Sequence, residues 1–92
     1  MRFLISYDTS SDALRNKIVK IFEQFGTRIQ YSVFEFYLTK SLKVKLHHEL
    51  NNKNLLNNKN ISLIIIPVCS DCEAKTERYN CEDYLGKKTI LL

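Results

Sequence analysis

Two segments constrain this chain more than any other: RFLISY, residues 2–7, and ISLIIIP, residues 61–67. In both, apolar side chains occupy odd and even positions alike, so each reads as a strand with two faces to cover. What lies between them sets how much cover the chain itself can supply.

The stretch SSDALRNKIVKIFEQFG puts Leu14, Ile18, Ile21, Phe22 and Phe25 at helical spacing, with Arg15, Lys17, Lys20 and Glu23 on the opposite face. Ser10, Ser11 and Asp12 are each competent N-caps, and Gly26 is placed to end the helix in the left-handed conformation. The following TRIQYSVFEFYL is rich in β-branched and aromatic residues and too long for one ordinary strand. It divides around Tyr31-Ser32 into two strands with a tight or bulged connection. A second helix, SLKVKLHHELNNK, carries Leu42, Leu46 and Leu50 one turn apart, with Thr39 or Ser41 as its cap. The tract NNKNLLNNKN reads as a loop docked through Leu55 and Leu56. After ISLIIIP come a short CSDC turn, a strand in TERY and the apolar end TILL.

The order β-α-β-β-α-β is the α+β, ferredoxin-like pattern: an antiparallel sheet with two helices on one face, here followed by an extra C-terminal strand. Residues 1–92 form one domain, with 76–92 as a strand or tail directed at dimer or partner contacts. Two helices cover only one face of such a sheet. The other face calls for a second copy, giving a sheet-to-sheet homodimer, or for the C-terminal segment folding back. A chain of 92 residues gains much from such added burial.

With 45% hydrophobic residues, five Phe and five Tyr, the chain has ample material for a core and no disorder signature. No apolar run is long enough to span a bilayer and no signal-peptide pattern is present, so the expected protein is soluble and cytoplasmic, with no membrane partner. A net charge of +4 is compatible with an anionic partner such as nucleic acid. Three cysteines, an odd number, point to reduced thiols.

Asp8 ends the first strand just before a helix start, where an aspartate is either a turn former or a ligand. Three other residues are available as caps, which leaves Asp8 open to the second role. Arg15 and Arg28 can bind phosphates through planar guanidinium forks, and Lys17 through a point charge, although Lys17 equally suits a solvated surface. Ser10 can orient water or phosphate, or cap the helix. Cys69, Cys72 and Cys81 supply one CxxC and a distant third thiol, short of the four ligands of a structural zinc site. His47-His48-Glu49 are adjacent on a helix and cannot share a metal on one face. The sequence SVFEFYL lacks the glycine of an RRM strand, which sets that class of RNA-binding module aside.

The strand ending Tyr7-Asp8, the helix containing Leu14-Arg15-Asn16-Lys17, the phrase Gly26-Thr27-Arg28-Ile29-Gln30-Tyr31-Ser32-Val33-Phe34-Glu35 and the late strand ending Ile66-Pro67-Val68-Cys69 together resemble the CRISPR-associated protein two family. The resemblance spans residues 1–80. It implies a ferredoxin-like homodimer that acts with the CRISPR integrase subunit during spacer acquisition, an antiviral defence. It also implies metal-dependent endonuclease activity on RNA or DNA, or alternatively a non-catalytic adaptor that bridges integrase subunits and binds duplex DNA. By the same resemblance Asp8 is the catalytic and metal-binding residue, with one Mg²⁺, or Mn²⁺, between the two Asp8 side chains of the dimer. Arg15, Lys17 and Arg28 match basic positions of the family, and Tyr7 and Phe34 match positions beside the aspartate.

Overall fold

The computed structural model describes residues 1–80. The elements run β1 (Arg2–Thr9), α1 (Asp12–Phe25), β2 (Gly26–Gln30), β3 (Val33–Tyr37), α2 (Lys40–Asn52), β4 (Ile61–Val68) and a short α3 (Ser70–Ala74). The four strands form one antiparallel sheet in the order β2-β3-β1-β4.

Alternation along the strands sorts the two faces. Phe3, Ile5 and Tyr7 of β1, Phe34 and Phe36 of β3 and Ile61 of β4 are buried against Ile18, Ile21 and Phe22 of α1 and Leu46 and Leu50 of α2. Phe22 lies at the centre of this layer, edge-on to Phe34 and Phe36 at 5.2 Å each. The opposite face carries Leu4, Ser6 and Asp8, Val33, Glu35 and Tyr37, and Ser62, Ile64 and Ile66. On it Ile64 remains 61% and Ile66 45% exposed. Both α1 and α2 therefore lie on one face, and among the described residues the two-sided apolarity of β1 and β4 is only half answered.

Gly26 departs from its expected role. Its φ of −150° and ψ of −168° are extended, not left-handed, because α1 runs straight into β2 and Gly26 already pairs with Phe36. Glycine is required there for space: a Cβ would stand 2.5 Å from the Glu35 carbonyl oxygen and 2.5 Å from the Phe36 ring. Gly26→Ala should lower stability by about 1–3 kcal/mol, the range for overpacking, and chemical denaturation with an unchanged m-value checks it.

Helix α2 begins at Thr39, whose hydroxyl accepts from Leu42 N–H, and ends at a left-handed asparagine, Asn54, with φ 55°. Leu55 N–H returns to the Leu50 carbonyl at 2.9 Å and Asn54 N–H to Asn51 at 3.0 Å, the paired bonds of a Schellman stop. That stop buries Leu55 beside Leu50 and leaves Leu56 at 40% exposed, so only one of the two leucines expected to dock the loop does so. Leu42 is likewise exposed, at 41%.

Beyond β4 the CSDC turn is a single helical turn, α3, with the Cys69 thiol accepting from Cys72 N–H. Among the described residues the strand expected in TERY does not form: residues 76–79 pair with none of β1 to β4. They lie instead over the open sheet face, where Thr76, Glu77, Arg78 and Tyr79 bound a cleft of about 250 Å³ with Leu4, Ile29 and Val33. Ion pairing favours this course over a ladder, since Arg78 reaches Glu35 on β3. Cys81 and the TILL end lie outside the described residues.

Candidate nucleic-acid and metal site

The site grows from the junction of β1 and α1. Thr9 donates its hydroxyl to the Asn60 carbonyl at 2.6 Å and accepts from Ser11 N–H at 3.1 Å, which fixes the turn after Asp8. Ser11 is the N-cap, its hydroxyl accepting from Leu14 N–H at 3.2 Å, so Ser10 is not the cap and stays exposed in the turn. Asp8 is exposed on the open face, opposite Ser62 of β4.

Arg15 stands one turn into α1. It pairs with Asp12 and donates to the Thr9 carbonyl at 2.8 Å, which brings a cation next to the residue that follows Asp8. Arg28 arrives from β2. Its guanidinium lies 5.2 Å from the Phe34 ring centroid, and an irregular register between Arg28 and Gln30 turns the strand into the hairpin tip at Tyr31-Ser32. The bulged connection expected around those two residues is present.

Tyr31 joins the two arginines. Its ring centroid is 5.9 Å from the Arg15 guanidinium carbon and 6.0 Å from that of Arg28, while the ring is 60% exposed. No sequence pattern singles out Tyr31. The one available signal was an aromatic residue at a turn, where burial is hard to arrange.

Tyr7 and Phe34 are buried and face the core rather than the solvent. They act from beneath: Tyr7 donates its hydroxyl to the Tyr31 carbonyl at 3.2 Å, and its N–H goes to the Ser32 carbonyl at 3.0 Å, so the hairpin tip is tied to β1. Phe34 carries Arg28 on its ring. Lys17 is exposed, and two residues past Arg15 it projects about 200° around the helix, away from that arginine. The structure thus gathers Arg15, Arg28 and Tyr31 at the end of the sheet where β1 finishes, with Arg28 on the Phe34 face and Asp8 at the same end on the opposite, open face, and leaves Lys17 outside.

As a metal site, the open face offers the hard carboxylate oxygens of Asp8. Among the described residues no group of three or more His, Cys, Asp or Glu is placed to hold an ion. Mg²⁺ keeps several waters and accepts one or two carboxylates, so the donor type fits and the number fits once a second Asp8 is supplied.

At the other end of β1 a second polar cluster is structural. The carboxylate of Glu35 takes both Arg2 and Arg78, with side chains 12%, 4% and 11% exposed. Burial works against the Arg2 charge, yet the Glu35 hydrogen bond and charge outweigh it and hold the guanidinium above its ordinary pKa. Tyr37 donates to Glu73 at 2.5 Å, and this bond raises the phenol pKa, with desolvation and the nearby carboxylates adding to it. At α3 the Cys72 N–H bond to the Cys69 sulfur lowers the Cys69 pKa, and the Cys69 sulfur in turn raises that of Cys72. At neutral pH iodoacetamide should therefore modify Cys69 several times faster than Cys72, read by peptide mass mapping; equal rates would contradict the assignment.

The family described as CRISPR associated protein Cas2 matches residues 1–76. The chain is 36% identical over 74 residues to the CRISPR-associated endoribonuclease Cas2 4 of Rhodospirillum rubrum, covering 80% of this chain but only 58% of that relative's length. It is 33% identical over 75 residues to the CRISPR-associated endoribonuclease Cas2 2 of Methanospirillum hungatei, covering 82% of this chain and 81% of the relative. Among solved structures, a hypothetical protein from Thermus thermophilus superposes with a TM-score of 0.64 at 32% identity, over 74% of this chain and 80% of that one. Streptococcus pyogenes Cas2 shares the fold with a TM-score of 0.69 at 24% identity, over 86% and 99%. A chain from a partial Cas6-RT-Cas1–Cas2 complex aligns with a TM-score of 0.58 at 25% identity, over 91% and 96%. By its sequence over residues 1–76 and by its fold, this chain belongs to the CRISPR associated protein Cas2 family.

Proposed function

We propose that the chain is a metal-dependent endonuclease of CRISPR spacer acquisition, working as a homodimer of ferredoxin-like domains packed through their open sheet faces. The observation that carries this reading is the placement of Asp8: exposed, on the uncovered face, and next to the turn that Arg15 clasps through the Thr9 carbonyl. A twofold apposition of that face puts two Asp8 carboxylates within reach of one another, which supplies the ligand number a single chain lacks. Held by the two Asp8 side chains, Mg²⁺, or Mn²⁺ in the same oxygen site, supplies phosphate charge neutralisation and an activated water when bound. Arg15 and Arg28 bind the flanking phosphates, Ser10 lies in the turn between them and Asp8, and Lys17 contributes charge at a distance. The names of the Rhodospirillum and Methanospirillum relatives, both endoribonucleases, favour RNA as substrate.

A second reading is favoured by the lack, among the described residues, of a group of three or more His, Cys, Asp or Glu placed to hold an ion, and by the likeness to a chain of a Cas1–Cas2 assembly. In it the dimer is an adaptor that bridges integrase subunits and supports duplex DNA. The test compares cleavage of single-stranded RNA and duplex DNA with and without Mg²⁺, alongside the salt and metal dependence of binding. A nuclease loses turnover without metal while keeping its strand affinity. An adaptor binds through counterion release, steeply weakened by salt and indifferent to Mg²⁺, and cleaves nothing.

A further inference from the structure

We infer that Tyr31 is a stacking platform for one unpaired nucleobase, making the tip of the β2–β3 hairpin a reader of single-stranded nucleic acid. The inference rests on the nucleic-acid reading above and adds to it the form of strand that the site selects.

Three observations meet at this residue. First, the ring is 60% exposed although the tip beneath it is held firmly, by the Tyr7 hydroxyl on the Tyr31 carbonyl and the Tyr7 N–H on the Ser32 carbonyl. A tyrosine kept rigid and open has paid its ordering cost before any ligand arrives. Second, two guanidiniums lie over the ring, 5.9 and 6.0 Å from its centroid, one anchored on the Thr9 carbonyl and the other resting on Phe34. Third, a nucleic-acid strand carries a flat base and an anionic phosphate at each step, and an exposed aromatic ring with two cations packed on it offers a partner to each.

The arrangement discriminates between strand types. In a duplex both faces of each base are occupied by its stacked neighbours, leaving none for Tyr31. In a single strand a base can be splayed onto the ring while its phosphates meet Arg15 and Arg28. Lost stacking therefore affects single strands selectively, whereas lost charge affects both forms.

The experiment uses the full chain in excess chelator, so that binding is read without cleavage. Fluorescence anisotropy follows labelled oligouridine, oligothymidine and a hairpin-capped duplex, with wild type, Tyr31→Leu and Tyr31→Phe compared after circular dichroism shows that each is folded. Tyr31→Leu should weaken single-strand binding about 5- to 150-fold and duplex binding by no more than about twofold, while Tyr31→Phe stays within about twofold throughout. Selective loss on either single strand supports the platform, and the arm affected tells whether ribose or deoxyribose strands use it. Equal loss on single strand and duplex overturns it, because the ring then acts only by holding the arginines. Undiminished single-strand binding by Tyr31→Leu also overturns it. Wild type that binds the duplex alone removes the platform but leaves the nucleic-acid reading standing; wild type that binds none of the three removes both.

Discussion

On the proposed nuclease reading, Asp8→Ala should reduce Mg²⁺-dependent cleavage of single-stranded RNA by about a thousandfold or more, leaving the fold and the strand affinity in place. The magnitude follows from the loss of a metal ligand in a reaction whose charge development the metal offsets by several kcal/mol. The selectivity follows from position. Asp8 is exposed, and helix α1 is capped by Ser11, so removing the carboxylate disturbs neither core nor cap. Arg15 and Arg28 keep their contacts with Thr9, Tyr31 and Phe34, so phosphate binding persists. Single-turnover cleavage with added Mg²⁺ or Mn²⁺, paired with anisotropy in chelator, separates the two effects. Equal rates for wild type and variant would falsify the catalytic role of Asp8 and favour the adaptor.

The largest effect on stability is expected from Glu35→Ala. One carboxylate there compensates two guanidiniums, Arg2 and Arg78, whose side chains are only 4% and 11% exposed. Its removal strands two buried positive charges, a change that costs about 3–5 kcal/mol when a buried pair is broken. Arg2 already has one buried nitrogen, Nη1, without a hydrogen-bond partner among the described residues, and beyond Glu35 it keeps a longer ion pair, Nε to Glu73 at 3.8 Å, which offsets part of the loss. Arg78 can escape to solvent, taking residues 76–79 off the sheet; Arg2, in β1, cannot. The double variant Arg2→Leu with Glu35→Leu should recover most of the loss, because an apolar pair of similar volume removes the desolvation problem along with the charges. Urea denaturation of the three proteins measures both steps. If Glu35→Ala is as stable as wild type, the cluster contributes nothing.

The pattern of elements was legible because each carried a local cause. The helical spacing of Leu14, Ile18, Ile21 and Phe22 marks α1, and these residues do face the core or its margin. The aromatic stretch had to bend at Tyr31-Ser32, since no ordinary strand is that long, and it does. Where the reading failed, the cause was a neighbour remote in sequence. Gly26 looked like a helix stop until the Phe36 ring, ten residues on, showed why no Cβ fits. Thr76–Tyr79 had strand composition, yet the pull of Glu35 on Arg78 sends the segment across the sheet face. Tyr7 and Phe34 matched site positions in the sequence, but they lie under the site and hold Tyr31 and Arg28 in place.

The sequence by itself determined the order of strands and helices, the apolar face of each and the presence of an aspartate where β1 ends. All of these depend on periodicity and on residues within a turn or two of one another. Only the tertiary structure decided which cations gather at that end of the sheet, that both lie against the Tyr31 ring, and that Arg78 shares Glu35 with Arg2. These contacts join β1, α1, β2, β3 and the segment after α3. Their partners are set by sheet register and helix packing, and no local pattern in the chain encodes such distances.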